Sequence, residues 1–367
     1  MWFDNMIRQC LVIPAAMLAM LMTARFFYHS MKTSKKVMLK SNGPRGNLNE
    51  PQKCGEKEYD AREMRLRIDL VKKYTTEERT FPREAVVIFG TPDGSSEVFG
   101  SIISSDAKVF YLPKVLNKLA YYMKHEPTIG FPLATALIEE VLKCNFEEKE
   151  LLLHHLMQNK TRNLSRTLLG APECVAKKRY GATLTANNRC TKAFSDWLAI
   201  ECDQSDQLLI QTDQLKSILS LQVLMTVPKL RSLSIRVIHV VRDPRAVIHD
   251  ISKSVTKELS AEELELTSYR ICAQMMLNVK TGENPPNWLE GRYLLVKIED
   301  FLNNPKRELA KLNEFFKRRN NSFGNLESLF RVKKAQNWTW EMSPERVRLV
   351  EEKCGKVLAL LDYKKVT

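Results

Sequence analysis

An α/β fold with a P-loop-like open parallel sheet flanked by helices is what this 367-residue sequence predicts. Three segments carry that expectation. Residues 235–250, IRVIHVVRDPRAVIHD, form an apolar strand that runs into Arg242-Asp243-Pro244-Arg245 and then a helix. Such a strand reads as buried on both faces, and proline suits the first helical turn. Ala85-Val86-Val87-Ile88-Phe89 is a second buried strand, leading through Gly90-Thr91-Pro92-Asp93-Gly94-Ser95-Ser96 to a helix from Glu97. YLLVKI at 293–298 is a third; Glu299-Asp300 ends it and Pro305 opens the next helix. Polar groups clustered after the strand ends place a ligand there.

The elements follow in chain order. Residues 10–24, CLVIPAAMLAMLMTA, carry no charge, and Arg25 is followed by Phe26, Phe27 and Tyr28. A bilayer core asks for about 20 apolar residues, so this short stretch reads as a signal-anchor with Arg25 snorkelling, or as a removable signal peptide. Lys32, Lys35, Lys36 and Lys40 follow it while only Arg8 and Asp4 precede it, a bias that alone keeps the large domain cytoplasmic. Asn159, Asn163, Asn320 and Asn337 point the other way, since each opens an N-x-S/T triplet that matters only in a secretory lumen. Residues 29–80 are basic and poor in apolar periodicity, a stem, with Met64, Ile68 and Val71 at surface-helix spacing. The expected organisation is therefore 1–28 tail and membrane anchor, 29–80 stem, and 81–367 a single folded domain.

Within the domain, Leu309, Leu312, Phe315 and Phe316 share one face of the helix from Pro305. Ser343 and Pro344 open a last helix whose stripe of Val347, Val350, Cys354, Leu358 and Leu361 reads as core packing. Residues 113–131 and 162–192 show no pattern and are left as loops. Seven of the eight cysteines lie beyond the apolar segment, too scattered for a disulfide framework and without C-x-x-C; one or two bridges and buried free thiols are the alternatives.

Charge narrows the ligand class. A formal net charge of +14 and a pI near 9.3 attract polyanions. The loop after the first strand, with Thr91, Gly94, Ser95 and Ser96, forms a nest of backbone N–H groups for phosphate or sulfate. It lacks the G-K-[ST] lysine, which excludes a nucleoside triphosphatase. No metal site and no nucleic-acid recognition signature is present in the sequence. His154 and His155 are adjacent rather than at i,i+4, and read as packing or surface residues. His239 reads as a hydrogen-bonded core histidine. His125-Glu126 is a weak acid/base pair, and Trp338 and Trp340 read as closing the core or stacking on a sugar.

VIHVVRDPRAV at 237–247 and GRYLLVKIEDFLNNP at 291–305, with the segments around Cys272 and Cys354, resemble the Golgi carbohydrate sulfotransferases. Members of that family place sulfate on the 6-hydroxyl of N-acetylglucosamine, galactose or N-acetylgalactosamine. The likeness spans residues 85–363. It implies a single-pass type II Golgi membrane protein with a lumenal catalytic domain, and 3'-phosphoadenosine 5'-phosphosulfate as sulfate donor, with no metal. The acceptor is a glycan on a glycoprotein, proteoglycan or glycolipid. The nest at 91–96 would take the 5'-phosphosulfate and Arg242 the 3'-phosphate.

Three departures from the family pattern fall at the chemistry. Pro92, beside Asp93, stands where the family has an arginine. Asp250 stands where it has a serine, with Ser252 or Ser254 as substitutes. Lys114 stands at the expected base, a glutamate. Beyond these three, a K-x-x-R pattern expected upstream of the 235–250 strand is absent, with Gln211-Thr212-Asp213-Gln214 near that place. One charge interaction at about 4 Å is worth on the order of 4 kcal/mol at an effective dielectric near 20, so these changes bear directly on donor affinity. Two readings follow: an active, diverged sulfotransferase whose base is Lys114, Glu97 or Asp93, and a catalytically impaired Golgi relative that binds glycans or a partner enzyme.

Overall fold

The computed structural model describes residues 83–104, 108–171, 184–227, 230, 233–255, 258–316 and 338–366, with backbone alone for 83 and 184–188. The anchor and stem expected over 1–80 lie outside the described residues. Among the described residues no helix is long and apolar enough to cross a membrane.

Five strands make one wholly parallel sheet: β1 (Arg83–Gly90), β2 (Val109–Leu112), β3 (Gln207–Thr212), β4 (Leu233–Val241) and β5 (Tyr293–Lys297). Their order is β2-β3-β1-β4-β5, so β1 is central and the chain winds to either side of it. Parallel neighbours need crossovers, and the crossovers cover both faces. The alternation of β1 shows the result: Ala85, Val87 and Phe89 join one apolar cluster while Val86 and Ile88 join the other. Both sides being dry, the strand carries no polar residue between Ala85 and Phe89.

Among the described residues the longer helices are α1 (Ser95–Ile103), α2 (Pro127–Leu142), α3 (Leu184–Gln204), α4 (Pro244–Ser254), α5 (Ala261–Glu283), α6 (Pro305–Phe315) and α7 (Pro344–Leu360). Prolines open α4, α6 and α7 as expected, each behind an Asp243, Asn304 or Ser343 side chain that accepts an orphan backbone N–H. The α7 stripe is core: Val347, Val350, Cys354, Leu358 and Leu361 are all buried. Disulfide Cys272–Cys354 ties α5 to α7, and Cys144–Cys202 ties the end of α2 to α3.

Two expectations need correction. Strands β2 and β3 had no counterpart in the sequence reading. The segments left as loops are largely helical where described, with short helices at Ala120–His125 and Arg166–Leu169 and the longer α2 and α3 reaching into them. Their apolar positions are irregularly spaced because each helix packs against several partners rather than one sheet face.

Candidate functional site

The site lies at the carboxyl end of β1, at the point where the strand order reverses. Gly90 closes β1 there. A Cβ on it would come within 2.6 Å of Ser96 Cβ, so only glycine lets the loop fold back onto the start of α1. Gly94 caps α1 at φ 84°, a left-handed conformation that again suits glycine. Ser95 and Ser96 follow, both buried, in the first turn of the helix.

The loop has the donors of an anion cradle, and a carboxylate of the chain holds them. Asp93, whose side chain is fully buried, accepts on Oδ1 from the Thr91 hydroxyl at 2.9 Å, the Ser95 hydroxyl at 2.9 Å and the Ser95 amide at 3.4 Å. On Oδ2 it accepts from Arg242 Nη1 at 3.2 Å. The same Nη1 donates to Asp250 Oδ2 at 2.6 Å. Burial opposes the charge on Arg242, but Asp93 and Asp250 outweigh it and hold the guanidinium above the usual arginine range.

Only one of the two arginines after β4 faces this site. Arg245 turns inward, donating to Asp243, to Glu351 and to the Lys364 carbonyl, with its guanidinium 4.6 Å above the Trp338 ring. The strand end therefore presents one cation to the loop, and the second belongs to the core.

Lys114 follows β2 and reaches the site from the other side. Its φ of 52° is uncommon for a residue with a side chain. Its backbone N–H donates to Gln211 Oε1 at 2.6 Å, and Gln211 Nε2 donates to Ser96 Oγ at 2.9 Å, so β3 ties Lys114 to the cradle. The Lys114 ammonium pairs with Glu97 Oε1 at 2.6 Å. Burial raises the Glu97 carboxyl above the usual glutamate range, Lys114 works against that rise, and Asp213 and Asp93 add to it. Asp213, at the end of β3, is likewise raised by burial, with a hydrogen bond from Gln214 opposing. Around Lys114 and Arg242 the chain thus gathers Asp93, Glu97, Asp213 and Asp250.

The remaining candidates fall elsewhere. The hydroxyls of Ser252 and Ser254 donate to the Ile248 and Ile251 carbonyls of their own helix, which spends their protons away from Arg242. His239 is buried, hydrogen-bonded to Tyr293 Oη at 2.9 Å, and burial pushes it down to about 3. His154 is exposed; His155 is buried with Nδ1 3.4 Å from Asn117 Nδ2. His125 packs on Tyr121 at the surface. Trp338 closes the core as expected, but Trp340 is 72% exposed. Sequence reasoning named Lys114 and Glu97 separately; their pairing across two elements, and the part of Gln211 in it, had no sequence signal.

No family model matches the chain. Human carbohydrate sulfotransferase 3 is 24% identical over 327 residues, covering 77% of this chain and 68% of its own. Carbohydrate sulfotransferase 1 of Danio rerio is 22% identical over 334 residues, covering 77% of this chain and 78% of its own. The sulfotransferase domain of the Synechococcus PCC 7002 olefin synthase superposes with a TM-score of 0.40 at 16% identity, over 75% of this chain and 96% of that one. That overlap is too loose to bear on the fold, which rests on the sheet itself. The curated matches bear out the resemblance read from the motifs: the chain is a diverged relative of the carbohydrate sulfotransferases.

Proposed function

We propose that the protein transfers a sulfuryl group from 3'-phosphoadenosine 5'-phosphosulfate to a carbohydrate hydroxyl. The observation that carries this reading is the cradle at the carboxyl end of β1, in which Thr91, Ser95 and Arg242 converge on one anionic group. The group they hold is a carboxylate of the chain, but the donor set is one that suits a phosphosulfate.

Lys114 stands where the resemblance puts the base, yet it is paired as a cation, so the base passes to its partner Glu97. Glu97 takes the proton of the acceptor hydroxyl, the oxygen forms a bond to sulfur, and the bond from sulfur to the phosphate oxygen breaks to release 3'-phosphoadenosine 5'-phosphate. A carboxyl raised by burial accepts that proton more readily than an ordinary glutamate. Lys114 keeps it ionised and positioned. The sign is definite: transfer should rise with pH through a value above the usual glutamate range, because Glu97 must be deprotonated to act.

The finer reading places sulfate on the 6-hydroxyl of N-acetylglucosamine, galactose or N-acetylgalactosamine, in the Golgi lumen, on a type II membrane protein. The disulfides Cys144–Cys202 and Cys272–Cys354 support an oxidising compartment, and the exposed Asn159 and Asn163 leave their acceptor triplets open to glycosylation. The test is binding of 3'-phosphoadenosine 5'-phosphate to the full-length chain in mild detergent, beside Arg242→Gln. Binding that the folded variant loses supports the reading; equal binding by both removes Arg242 from the site and overturns it.

One observation favours the second reading, a non-catalytic relative that binds glycans or a partner enzyme. Asp93 and Asp250 both lie on Arg242, and like charges beside a phosphate cost affinity.

A further inference from the structure

Four donors in the cradle reach a single buried acceptor, Asp93: two hydroxyls, one backbone amide and one guanidinium. Three of them come from residues 91 and 95, within two positions of Asp93, and a local turn would account for them. Arg242 is different, because it lies 149 residues away at the end of another strand. Its approach makes the arrangement a tertiary one, in which a negative oxygen pair sits between a helix start and a cation. Asp250 repeats the pattern from the far side of the same guanidinium, although it is half exposed while Asp93 is fully buried.

From this geometry we infer that Asp93 is a built-in occupant of the phosphosulfate cradle, so that the chain rests with its own donor site closed. The inference depends on the donor reading above and adds its regulation. A donor's 5'-group must displace the Asp93 carboxylate from Thr91, Ser95 and Arg242 before it can bind. Gly94 supplies the hinge, since its left-handed φ lies next to the residue that must swing. Arg242 stands between the two ends of the donor, with buried Asp93 on its 5' side and Asp250, 40% exposed, on the side the resemblance gives to the 3'-phosphate. An occupied cradle has a distinctive consequence: the donor's 5'-phosphate contributes little to affinity until Asp93 is removed.

The experiment compares two nucleotides on two proteins. Full-length wild-type and Asp93→Asn chains in mild detergent are titrated with 3'-phosphoadenosine 5'-phosphate and with adenosine 3'-phosphate, which lacks the 5'-group. The expected result is that the two nucleotides bind the wild type within about threefold of each other. On Asp93→Asn the 5'-phosphate should gain at least about tenfold. Asp93→Ser, with a cooperative melt, is the second variant should the first fold poorly. The wild-type pair is decisive by itself, because a tenfold gain from the 5'-phosphate there means that the cradle is open. Three results overturn the closed cradle: that gain in the wild type, no gain in either variant, or weaker binding in both variants. If neither nucleotide binds any of these proteins at millimolar concentration, the donor reading fails and takes the closed cradle with it. If both bind the wild type with the full 5'-gain, the donor reading stands and only the closure fails.

Discussion

Arg242 and Arg245 leave the same strand three residues apart and meet opposite surroundings. Arg245 is enclosed by Asp243, Glu351, a backbone carbonyl and the Trp338 ring, all of them parts of the core around α4 and α7. Arg242 meets Asp93, on the loop after β1, and Asp250, on α4. Each guanidinium is nearly buried and each touches two carboxylates, so burial and pairing do not distinguish them. What separates them is whether the partners can leave. Glu351 is locked in a helix whose Cys354 is disulfide-bonded to α5, whereas Asp93 sits on the loop just before Gly94 and Asp250 is 40% exposed. Paired arginines in a fixed frame hold a fold together; paired arginines beside a movable carboxylate hold a site in reserve.

The largest effect that sharpens the contrast is Arg245→Ala. It strands Asp243 and Glu351 in the core and should cost about 3–5 kcal/mol in urea denaturation. A loss under about 1 kcal/mol would break the comparison, since Arg245 would then be no more structural than a surface ion pair. Next comes the frame itself: Cys272→Ser paired with Cys354→Ser should cost about 2–4 kcal/mol by the same measurement, and unchanged stability would mean that α7 is held by packing alone.

The pH dependence of stability reports on the core side of β4. His239 has its folded pKa depressed from 6.5 to about 3 by burial. The unfolded chain therefore binds a proton that the folded chain refuses, and stability falls as pH drops from about 6.5 towards 3. His155, lowered to about 4 by burial with Lys118 and Lys114 adding to it, acts in the same direction. His239→Gln should flatten part of that slope in melts recorded across the window; an unchanged slope would assign it to other groups. The smallest effect belongs to the movable side. Asp250→Asn should change stability by less than about 1 kcal/mol, because its side chain is 40% exposed and solvent screens the pair. A loss comparable to that of Arg245→Ala would place Asp250 in the frame after all.

The same distinction decides what the sequence could reveal. Strands β1, β4 and β5 were legible because both sheet faces bury them, and the proline-opened helices because a fixed φ and a capping side chain are local features. Strand β3 was hidden by its own chemistry: Gln207 and Gln211 are buried, bonded to Glu84 and Ser96, and interrupt the apolar run. Strand β2 has only four residues, too few for a period to show. In the site, the residues at 93, 97, 114, 242 and 250 each stand out in the sequence as charged positions beside the strand ends. Their pairings do not, because an ion pair between β2's loop and α1, or between β4 and a loop 149 residues earlier, leaves no trace in spacing. The inward turn of Arg245 was equally silent, since its partner Glu351 lies 106 residues on.

The most direct test of the account is transfer of radiolabelled sulfate from 3'-phosphoadenosine 5'-phosphosulfate to oligosaccharides containing N-acetylglucosamine, galactose and N-acetylgalactosamine. Full-length wild-type, Asp93→Asn and Glu97→Gln chains would be assayed side by side. The account expects labelled product from the wild type, more from Asp93→Asn, and at least about a hundredfold less from Glu97→Gln with its melting curve unchanged. No labelled product from either the wild type or Asp93→Asn, both cooperatively folded, would contradict it and leave a relative that has kept the family's sheet without its reaction.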